Sequence, residues 1–331
     1  MKTASTARGR GAGNIVEFLY RYGTLITIFI LVAVFGTMTD SFLSGSNIIN
    51  ILRSISIVTI IATGLTVSLS VGGFDLSVGS AASLANAIVI SMFVWHGQNM
   101  FVGIAVALAF CIVIGLINAF LVTSFNIQDM LMTLATMFVF QGVALTYTKG
   151  ATISENMIMP NGDFATGLIP DAFSKLGQVP WIIILMLLVV IAVHVFLNYT
   201  KHGRYMYMIG GNPEAAKLSG IAVKKYRLIA YLLSALFAGI GGVILGARVM
   251  NAEVNAGAPY LMDAVAAAFI GFSVFGAGKP NAFGTFVGAV LIGILSNGLV
   301  MLSVPYYAMD IVKGSVLALA LAITYYKRKH A

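Results

Sequence analysis

Charged residues are scarce in this chain, and cysteine is almost absent. Only 9% of the 331 residues are charged and 59% are hydrophobic, whereas soluble domains carry roughly 25% charged residues. The single cysteine, Cys111, lies in an apolar run, which is typical of a buried structural thiol. One cysteine cannot form a disulfide within the chain. These properties exclude an ordinary soluble domain and indicate an integral membrane protein.

Motifs that carry catalysis or bind metals are also missing. The sequence contains no Gly-x-x-x-x-Gly-Lys-Ser/Thr phosphate loop, no His-Glu-x-x-His and no Gly-x-Ser-x-Gly, so the chain does not hydrolyse ATP by the usual phosphate-loop route. The four histidines are scattered without the spacing of metal ligands. We therefore predict no catalytic residue, no metal site and no cofactor. We attribute the net charge of +8 to basic residues on the cytoplasmic side of a membrane protein rather than to nucleic-acid binding.

Long apolar runs predict the fold. A helix needs about 20 apolar residues to cross a bilayer, and ten runs approach that length. Residues 1–20 contain no apolar core with a cleavage site, so no cleaved signal peptide is expected. We predict one all-α polytopic transmembrane domain over 1–331, with spans near 22–39, 48–71, 77–96, 100–123, 129–148, 180–199, 228–247, 263–278, 282–304 and 308–326.

The distribution of basic residues predicts the orientation. Fourteen of the nineteen Lys and Arg residues lie in the tail 1–21, in the loop 200–227, at Lys279 and after residue 326. Ten crossings place all four regions on one side, and excess basic charge marks that side as cytoplasmic. We therefore expect both termini to be cytoplasmic, the 200–227 loop to be cytoplasmic and the polar stretch 149–179 to be extracytoplasmic.

A weak internal sequence similarity predicts two repeats. The segment GGFDLSVGSAA at 72–82 resembles GAPYLMDAVAA at 257–267, and GLIN at 115–118 is echoed by GILSN at 293–297. Five spans separate the copies, an odd number, so the repeats would be inverted in the membrane. Inverted repeats with the substrate path at their interface are a recurrent transporter plan.

The stretch GGNPEAAKLSGI at 210–221 predicts a short capped helix. Asn212 can cap its first turn and Pro213 suits the first helical position, while Glu214 suits the positive end of the helix dipole. Gly220 provides the stop. The small side chains within the helix would let another protein approach closely, although an ordinary loop helix has the same signature. The candidate coupling residues are Asn212, Pro213, Glu214, Ala215, Ala216 and Gly220.

The stretch GGFDLSVGS at 72–80 is the second candidate site. Paired glycines break a helix, and backbone groups freed inside a membrane persist only where protein or a water-filled path satisfies them. A bend that lines a polar solute path is one interpretation, and capping of the next helix by Asp75 and Ser77 is the other. Together with the two recurring asparagines, the candidate path residues are Gly72, Gly73, Asp75, Ser77, Asn118 and Asn297.

Other polar and small residues have simpler explanations. Asp310 and Lys313 are three apart, which predicts that they neutralise each other on one helix. Arg53 lies near the outer end of span two and could extend to the interface. Two sets of glycines at roughly helical spacing predict close helix packing rather than ligand binding: Gly239, Gly242 and Gly246, and Gly284, Gly288 and Gly293.

These stretches together resemble a known family. The 72–80 stretch is similar to a Gly-Gly-x-Asp-Leu-Ser-Val-Gly signature, the 210–221 stretch to a cytoplasmic coupling segment, and DAVAAA at 263–268 with NGL at 297–299 and IVKG at 311–314 to a C-terminal pattern. All three occur in permease subunits of bacterial ABC importers for simple sugars, of the ribose, galactose and xylose type. The chain resembles that family from about its first span to its end.

The resemblance implies partners and a location. It implies two permease copies side by side in the bacterial cytoplasmic (inner) membrane, a separate ATPase subunit below them, and an extracytoplasmic solute-binding protein. It also implies that the short helix docks into a groove on the ATPase. The chain departs from the family at IQDM (127–130), at FS (272–273) and near YAMD (307–310). If those positions face the path, the solute need not be a common hexose or pentose.

Three functions therefore stay open from the sequence. The first is an importer permease for a monosaccharide or a similar small polar solute, with permeases for nucleosides or amino acids as relatives of the same plan. The second is a self-sufficient secondary transporter or channel, which would need no ATPase-docking helix. The third is a membrane enzyme, which the missing nucleophile and metal cluster disfavour.

Overall fold

The computed structural model is all-helical over the residues that it describes, which are 7–125, 127–159, 161–274, 278–305, 307–315 and 318. In this part of the chain only isolated bridges occur and no β-strand forms. The helices are α1 Ala7–Met38, α2 Gly45–Ser70, α3 Val78–Val94, α4 Met100–Phe125, α5 Asp129–Thr148, α6 Asp171–Leu176, α7 Trp181–Tyr199, α8 Lys201–Gly211, α9 Pro213–Leu218, α10 Val223–Val249, α11 Ala258–Ser273 and α12 Ala282–Met301. Residues 307–315 are also helical.

Most of the predicted spans coincide with helices. Six helices are long and apolar enough to cross a membrane, namely α2, α4, α5, α7, α10 and α12, and three shorter apolar segments occur in α1, α3 and α11. The chain is therefore a polytopic helical membrane protein. The predicted eighth span was placed too late, because α11 begins at Ala258. Most of the predicted tenth span lies outside the described residues, so the count of ten crossings stays a prediction.

Two helices occur where the sequence predicted only polar connections. Helix α6 lies in the 149–179 stretch, and α8 fills the first half of the 200–227 loop. Thr200 caps α8 by accepting a hydrogen bond from the N–H of Gly203 at 3.1 Å. Helix α1 also reaches back into the predicted tail, to Ala7. The polar connections are thus more ordered than their composition indicates.

Helices α2, α3 and α10 form the centre of the bundle. Helix α10 packs against α2, α3 and α4, whereas α2 packs against α7, α10, α11 and α12. Nearly every residue of α3 is buried. By contrast, α4, α5 and α7 expose most of their apolar side chains. Apolar side chains on an outer membrane helix require lipid or another apolar protein surface.

The two predicted glycine sets pack at helix crossings, which confirms that prediction. A Cβ at Gly242 of α10 would overlap the carbonyl oxygen of Ala82 in α3, and a Cβ at Gly288 of α12 would overlap that of Ala267 in α11. Small residues let helix backbones approach closely where no hydrophobic force drives association. These glycines therefore fix how closely the central helices approach one another.

The prediction that Asp310 neutralises Lys313 is wrong. Lys313 Nζ instead bonds both carboxylate oxygens of Asp263 in α11, at 3.1 Å each. Arg53 was expected to extend to the interface, and its guanidinium donates to Gln178 Oε1 at 2.9 Å. Both cations thus reach partners far away in the sequence, because packing brings Asp263 of α11 and Gln178 of the α6–α7 connection close to them.

Substituting Gly242 with alanine should destabilise the bundle, whereas the same change at Gly142 should not. A Cβ at position 242 has no space between α3 and α10, while nothing lies within 4 Å of a Cβ at position 142 of α5. Overpacking typically costs about 1–3 kcal/mol. The measurement is thermal unfolding of the two purified variants in detergent. Equal unfolding temperatures would show that the crossing tolerates a wider separation.

Candidate functional site

Residues 71–77 interrupt the helical path between α2 and α3. The N–H of Gly72 bonds Leu69 O at 3.0 Å and the N–H of Gly73 bonds Ser68 O at 3.0 Å, which closes the last turn of α2. Gly72 has φ +74°, a conformation that costs glycine no steric strain. The predicted break therefore exists, and α3 begins six residues after Gly72.

Asp75 accepts hydrogen bonds within this break. Its Oδ1 accepts from the N–H of Ser77 at 3.0 Å and from Ser77 Oγ at 2.6 Å. Asn118 Nδ2 on α4 in turn donates to Ser77 Oγ at 2.7 Å. All three residues are fully buried. Three of the six predicted path residues thus form one hydrogen-bonded network. Ser77 is the residue before α3, and its own side chain does not cap that helix.

Helix α5 satisfies the backbone of the same break. Thr133 Oγ1 donates to the carbonyl of Phe74 at 2.8 Å and accepts from the N–H of Leu76 at 3.1 Å. A buried backbone group without a partner costs free energy comparable to a lost hydrogen bond. One threonine therefore holds α5 against the break, and the sequence offered no signal for this because single threonines occur throughout the apolar runs.

The first turn of α5 adds an ionic cluster beside the glycines. Asp129 Oδ2 accepts from Tyr231 Oη of α10 at 2.6 Å, and Asp129 Oδ1 lies 3.5 Å from Arg227 Nη1. A Cβ at Gly73 would lie only 2.8 Å from Tyr231 Oη and 3.0 Å from Asp129 Oδ2. Gly73 thus provides the space in which the carboxylate and the phenol meet. Asp129 belongs to the IQDM departure, the only sequence signal for this cluster.

Helix α8 packs against both halves of the chain. A Cβ at Gly210 would overlap the carbonyl of Ser70 at the end of α2. On its other side, Tyr207 Oη donates to the carbonyl of Pro280 at 2.7 Å, and Lys279 Nζ lies 4.4 Å from the centre of the Tyr207 ring. Burial raises the pKa of Tyr207 to about 12, so this phenol stays protonated and donates at neutral pH.

The predicted short helix is α9, with the predicted caps. Asn212 Oδ1 accepts from the N–H of Ala215 at 3.0 Å, Pro213 is the first helical residue, and Gly220 has φ +79°. The two alanines face opposite ways, since Ala216 is buried against the chain itself while Ala215 is exposed. Leu218 is 90% exposed. The outward surface of α9 therefore consists of Glu214, Ala215, Lys217 and Leu218.

Asn297 lies apart from the other predicted path residues. It exchanges two hydrogen bonds with Asn47, at 2.9 and 3.0 Å, which join α12 to the first turn of α2. Gly72 follows the opposite end of α2, and a helix of that length spans about 39 Å at 1.5 Å per residue. The structure thus brings Asp75, Ser77 and Asn118 together beside Gly72 and Gly73, and places Asn297 near the other face. Their roles in a path stay predictions.

Gly73→Ala should disturb the Asp129–Tyr231 contact and reduce solute uptake by about tenfold. The new methyl group would need the space of two hydrogen-bonded oxygens, and a hydrogen bond to a charged group contributes about 1.5–3 kcal/mol. Gly45→Ala is the matched control, because nothing lies within 4 Å of its Cβ. Uptake is measured in cells at equal amounts of protein in the membrane. Wild-type uptake by Gly73→Ala would disprove a functional role for this contact.

Comparisons with known proteins agree with the three sequence signatures. Residues 47–321 match the family described as branched-chain amino acid transport system / permease component. The ribose import permease protein RbsC of Escherichia coli (strain K12) is 35% identical over 309 residues, which cover 92% of this chain and 94% of RbsC. The galactose/methyl galactoside import permease protein MglC of Salmonella typhimurium (strain LT2) is 30% identical, over 94% of this chain and 95% of MglC.

The xylose transport system permease protein XylH of Haemophilus influenzae (strain ATCC 51907 / DSM 11121 / KW20 / Rd) is 31% identical, over 91% of this chain and 95% of XylH. No solved structure matches the chain. The family match and these relatives cover nearly the whole chain, including the break at 71–77 and helices α8 and α9. This chain is therefore a multi-pass protein of the cytoplasmic membrane. It belongs to the family described as branched-chain amino acid transport system / permease component, and it is similar to the sugar permeases RbsC, XylH and MglC.

Proposed function

We propose that this chain is the membrane-spanning subunit of an ATP-driven importer, and that it moves a monosaccharide or a similar small polar solute into the cytoplasm. In this proposal a separate ATPase subunit supplies the energy, because the chain has no phosphate loop. A solute-binding protein delivers the solute from outside. A second permease copy completes the pathway and covers part of the apolar surface that α4, α5 and α7 expose.

The exposed surface of α9 is the observation that carries the proposal. A leucine that is 90% exposed near an exposed alanine forms an apolar surface within a polar, charged connection, and a partner protein that covers it would remove apolar area from water. The caps at both ends hold α9 in one conformation, which lowers the cost of ordering it in a complex. A self-sufficient transporter has no use for such a surface.

Contacts behind α9 support its role in coupling. Ala216 packs into a cluster with Val67 and Val71 of the α2 end, Met206 of α8 and Tyr226 of α10. Buried apolar contacts of this kind move as a unit because protein interiors are close-packed. A displacement of α9 would therefore act on α2, α8 and α10 together, and through Gly210 it would reach the break at 71–77.

Contacts between connections support the predicted orientation. Helix α8 touches the α2–α3 break through Gly210 and the Lys279–Pro280 connection through Tyr207, and all three lie on the cytoplasmic side in the ten-span arrangement. The 149–179 stretch instead pairs Ile153 with Ala252, and the N–H of Gly167 bonds Val94 O at 3.3 Å. These partners all lie on the extracytoplasmic side of the same arrangement. Among the described residues, no backbone hydrogen bond joins one set of connections to the other.

The identity of the solute rests on the relatives. Three of them are named for ribose, xylose and galactose, which favours a monosaccharide. The matching family is described by branched-chain amino acid transport, and this keeps an amino acid as the second candidate. Ligand binding by the partner binding protein, measured by calorimetry with the three sugars and with leucine, distinguishes the two.

The coupling segment and the 149–179 stretch should be accessible from opposite sides of the membrane. Lys217 and Asp163 are both exposed, so a cysteine at either position should react with a thiol reagent. We expect Asp163→Cys, in a Cys111→Ala background, to be labelled in intact cells by an impermeant maleimide. Lys217→Cys should be labelled only after the membrane is opened. Labelling of both variants from outside would contradict the orientation.

Ala215→Arg should prevent docking of the ATPase while the permease itself stays folded. Residue 215 faces outward, so a long cation there meets only the partner, and overpacking of a central contact costs about 1–3 kcal/mol. That loss weakens association roughly ten- to hundredfold. Co-purification of the ATPase and solute uptake should fall together. Ala216→Arg differs, because it forces a charge into the protein's own interior and should unfold the coupling segment.

Ala151→Arg is the matched control for the docking variant. Ala151 is also exposed but lies in the predicted extracytoplasmic stretch, so an arginine there should change neither ATPase co-purification nor uptake. Normal co-purification by Ala215→Arg would remove the main support for an ATP-driven importer and would favour a self-sufficient transporter.

A further inference from the structure

Helix α7 carries an apolar stripe that faces away from the rest of the bundle. Its members recur every three or four residues along the helix, which is the spacing of a single helical face. They are exposed by 41–72%, and they are Ile184, Leu188, Ile191, Val195 and Tyr199. The stripe ends at Tyr199, the last residue of α7. Inside a membrane, acyl chains or another apolar protein surface must cover such a stripe.

The chain passes from this stripe directly into a basic helix. Thr200 alone separates α7 from α8, which begins at Lys201. Two residues span at most about 7.6 Å, at roughly 3.8 Å each, so the Cα atoms of Tyr199 and Lys201 are no further apart than that. The headgroup layer of a bilayer is roughly 5–7 Å thick on each side of the hydrocarbon core. Tyr199, a residue type enriched at this boundary, therefore places the side chains of Lys201 and Arg204 among the headgroups.

Four cations near this boundary have no anionic partner within the protein. The side chains of Lys201 and Arg204 on α8, and of Lys224 and Lys225 at the start of α10, are exposed. None of the four forms an ion pair with a residue that the structure describes. The sequence has no Asp or Glu in 181–213 or in 223–249, and between these stretches Glu214 is followed by Lys217. The complement of this surface is therefore an anion.

Aromatic contacts bring the two pairs of cations together. His202 Nδ1 lies 3.1 Å from Tyr226 Oη, and the rings of Tyr205 and Tyr226 pack edge to face with 5.5 Å between their centres. Tyr226 directly follows Lys224 and Lys225, so the first turn of α10 lies against the first turns of α8. The four cations thus surround the exposed ring of Tyr205. Basic residues beside exposed aromatic side chains are typical of helices that lie in a membrane interface.

We propose that the basic surface, defined by Lys201, Arg204, Lys224 and Lys225, binds the phosphate group of an anionic phospholipid in the cytoplasmic leaflet. The acyl chains of this lipid lie along the α7 stripe that ends at Tyr199. The stripe and the basic surface are then two halves of one lipid site, and a second permease copy covers α4 or α5 instead. The proposal uses the predicted orientation but neither the ATPase nor the solute, so it goes beyond the proposed function.

Charge and depth together favour a lipid over a soluble partner. The cytoplasmic leaflet carries a negative surface potential, and each basic residue close to it raises affinity about fivefold. An acidic protein would match the charge of Lys201 and Arg204, but it would leave the apolar stripe behind them uncovered. A phospholipid joins an anionic group to apolar chains, which is the combination that Lys201 and Tyr199 present side by side.

The first experiment measures the lipid preference of the full-length protein. The purified permease in a nonionic detergent is titrated with phosphatidylglycerol or with phosphatidylcholine of identical acyl chains, and its thermal unfolding is recorded. We expect phosphatidylglycerol to stabilise the protein at concentrations about tenfold lower or less, because only this lipid carries a net negative charge. Glycerol phosphate, which lacks acyl chains, should have no effect at the same concentrations. Equal effects of the two lipids, or an equal effect of glycerol phosphate, would overturn the proposal.

Removing charge from α8 should remove the preference. In Lys201→Gln/Arg204→Gln, the half-saturating concentration of phosphatidylglycerol should rise about 25-fold, roughly fivefold for each cation. Lys149→Gln/Lys175→Gln is the matched control, because it removes two exposed cations from the predicted extracytoplasmic stretch. This control should keep the wild-type concentration. An unchanged concentration in Lys201→Gln/Arg204→Gln would contradict the proposal.

Lys224→Gln/Lys225→Gln tests the other half of the basic surface and should show the same loss. It also keeps the test decisive if Lys201→Gln/Arg204→Gln does not fold. Co-purification of the ATPase with each variant distinguishes a protein partner from a lipid. If a variant loses the ATPase but keeps the wild-type lipid affinity, the basic surface binds the ATPase and the lipid proposal is overturned. If lipid affinity falls while the ATPase stays bound, the lipid site stands, independently of the importer proposal.

Discussion

The buried backbone between α2 and α3 is the constraint on which the surrounding structure depends. A helix that stops inside a membrane protein leaves carbonyl and N–H groups that no water can satisfy. Here the protein satisfies them with side chains from elsewhere: Thr133 bonds the backbone on both sides of Asp75, and Asp75 itself bonds the residue that precedes α3. Helix α5 is held against the break by these bonds. Helix α4 is held there as well, since Asn118 bonds Ser77.

The same break connects the interior of the bundle to helix α8. Gly73 leaves space for the Asp129–Tyr231 hydrogen bond, and the end of α2 lies against the backbone of Gly210. Polar networks of this kind resist partial disruption, because each member left unpaired in a low-dielectric interior is costly. A displacement of α8 would therefore be resisted until several bonds change at once. This favours two discrete arrangements of the break over a continuous deformation.

Local signals predicted the capped helix α9 and most membrane helices better than they predicted partners distant in the sequence. The caps of α9 depend on residues within one turn, so Asn212, Pro213 and Gly220 were sufficient to define it. The apolar runs likewise predicted most membrane helices, because the bilayer sets their length. The pairing of Lys313 with Asp263 was not predictable, since it depends on how α11 packs against residues 307–315. The opposite orientations of Ala215 and Ala216 depended on packing in the same way.

Helix α8 and the Asp129 cluster were not predicted, for a related physical reason. Helix α8 mixes basic, aromatic and glycine residues, and its order comes from tertiary contacts rather than from helix propensity. Asp129 was visible in the sequence only as a departure from the family. Its role required the positions of Arg227 and Tyr231, about 100 residues further along the chain. The geometry of a site built from residues that are distant in the sequence becomes visible only once the fold is known.

Helices α2 and α10 run from the neighbourhood of α8 to a cavity between α2, α10, α11 and α12 at the opposite end of the bundle. Helix α2 runs from Ile55, which lines the cavity, to Ser70, which lies beside Gly210. Helix α10 runs from Arg227, which lies beside Asp129, to Arg248, which also lines the cavity. A helix of this length spans about 40 Å, and both are packed through most of that distance by buried residues. When such a helix tilts about a point between its ends, the two ends move in opposite directions. Both helices line this cavity together with α11 and α12, and both contact α8, so one rigid-body movement of α2 and α10 would change contacts at both ends of the bundle.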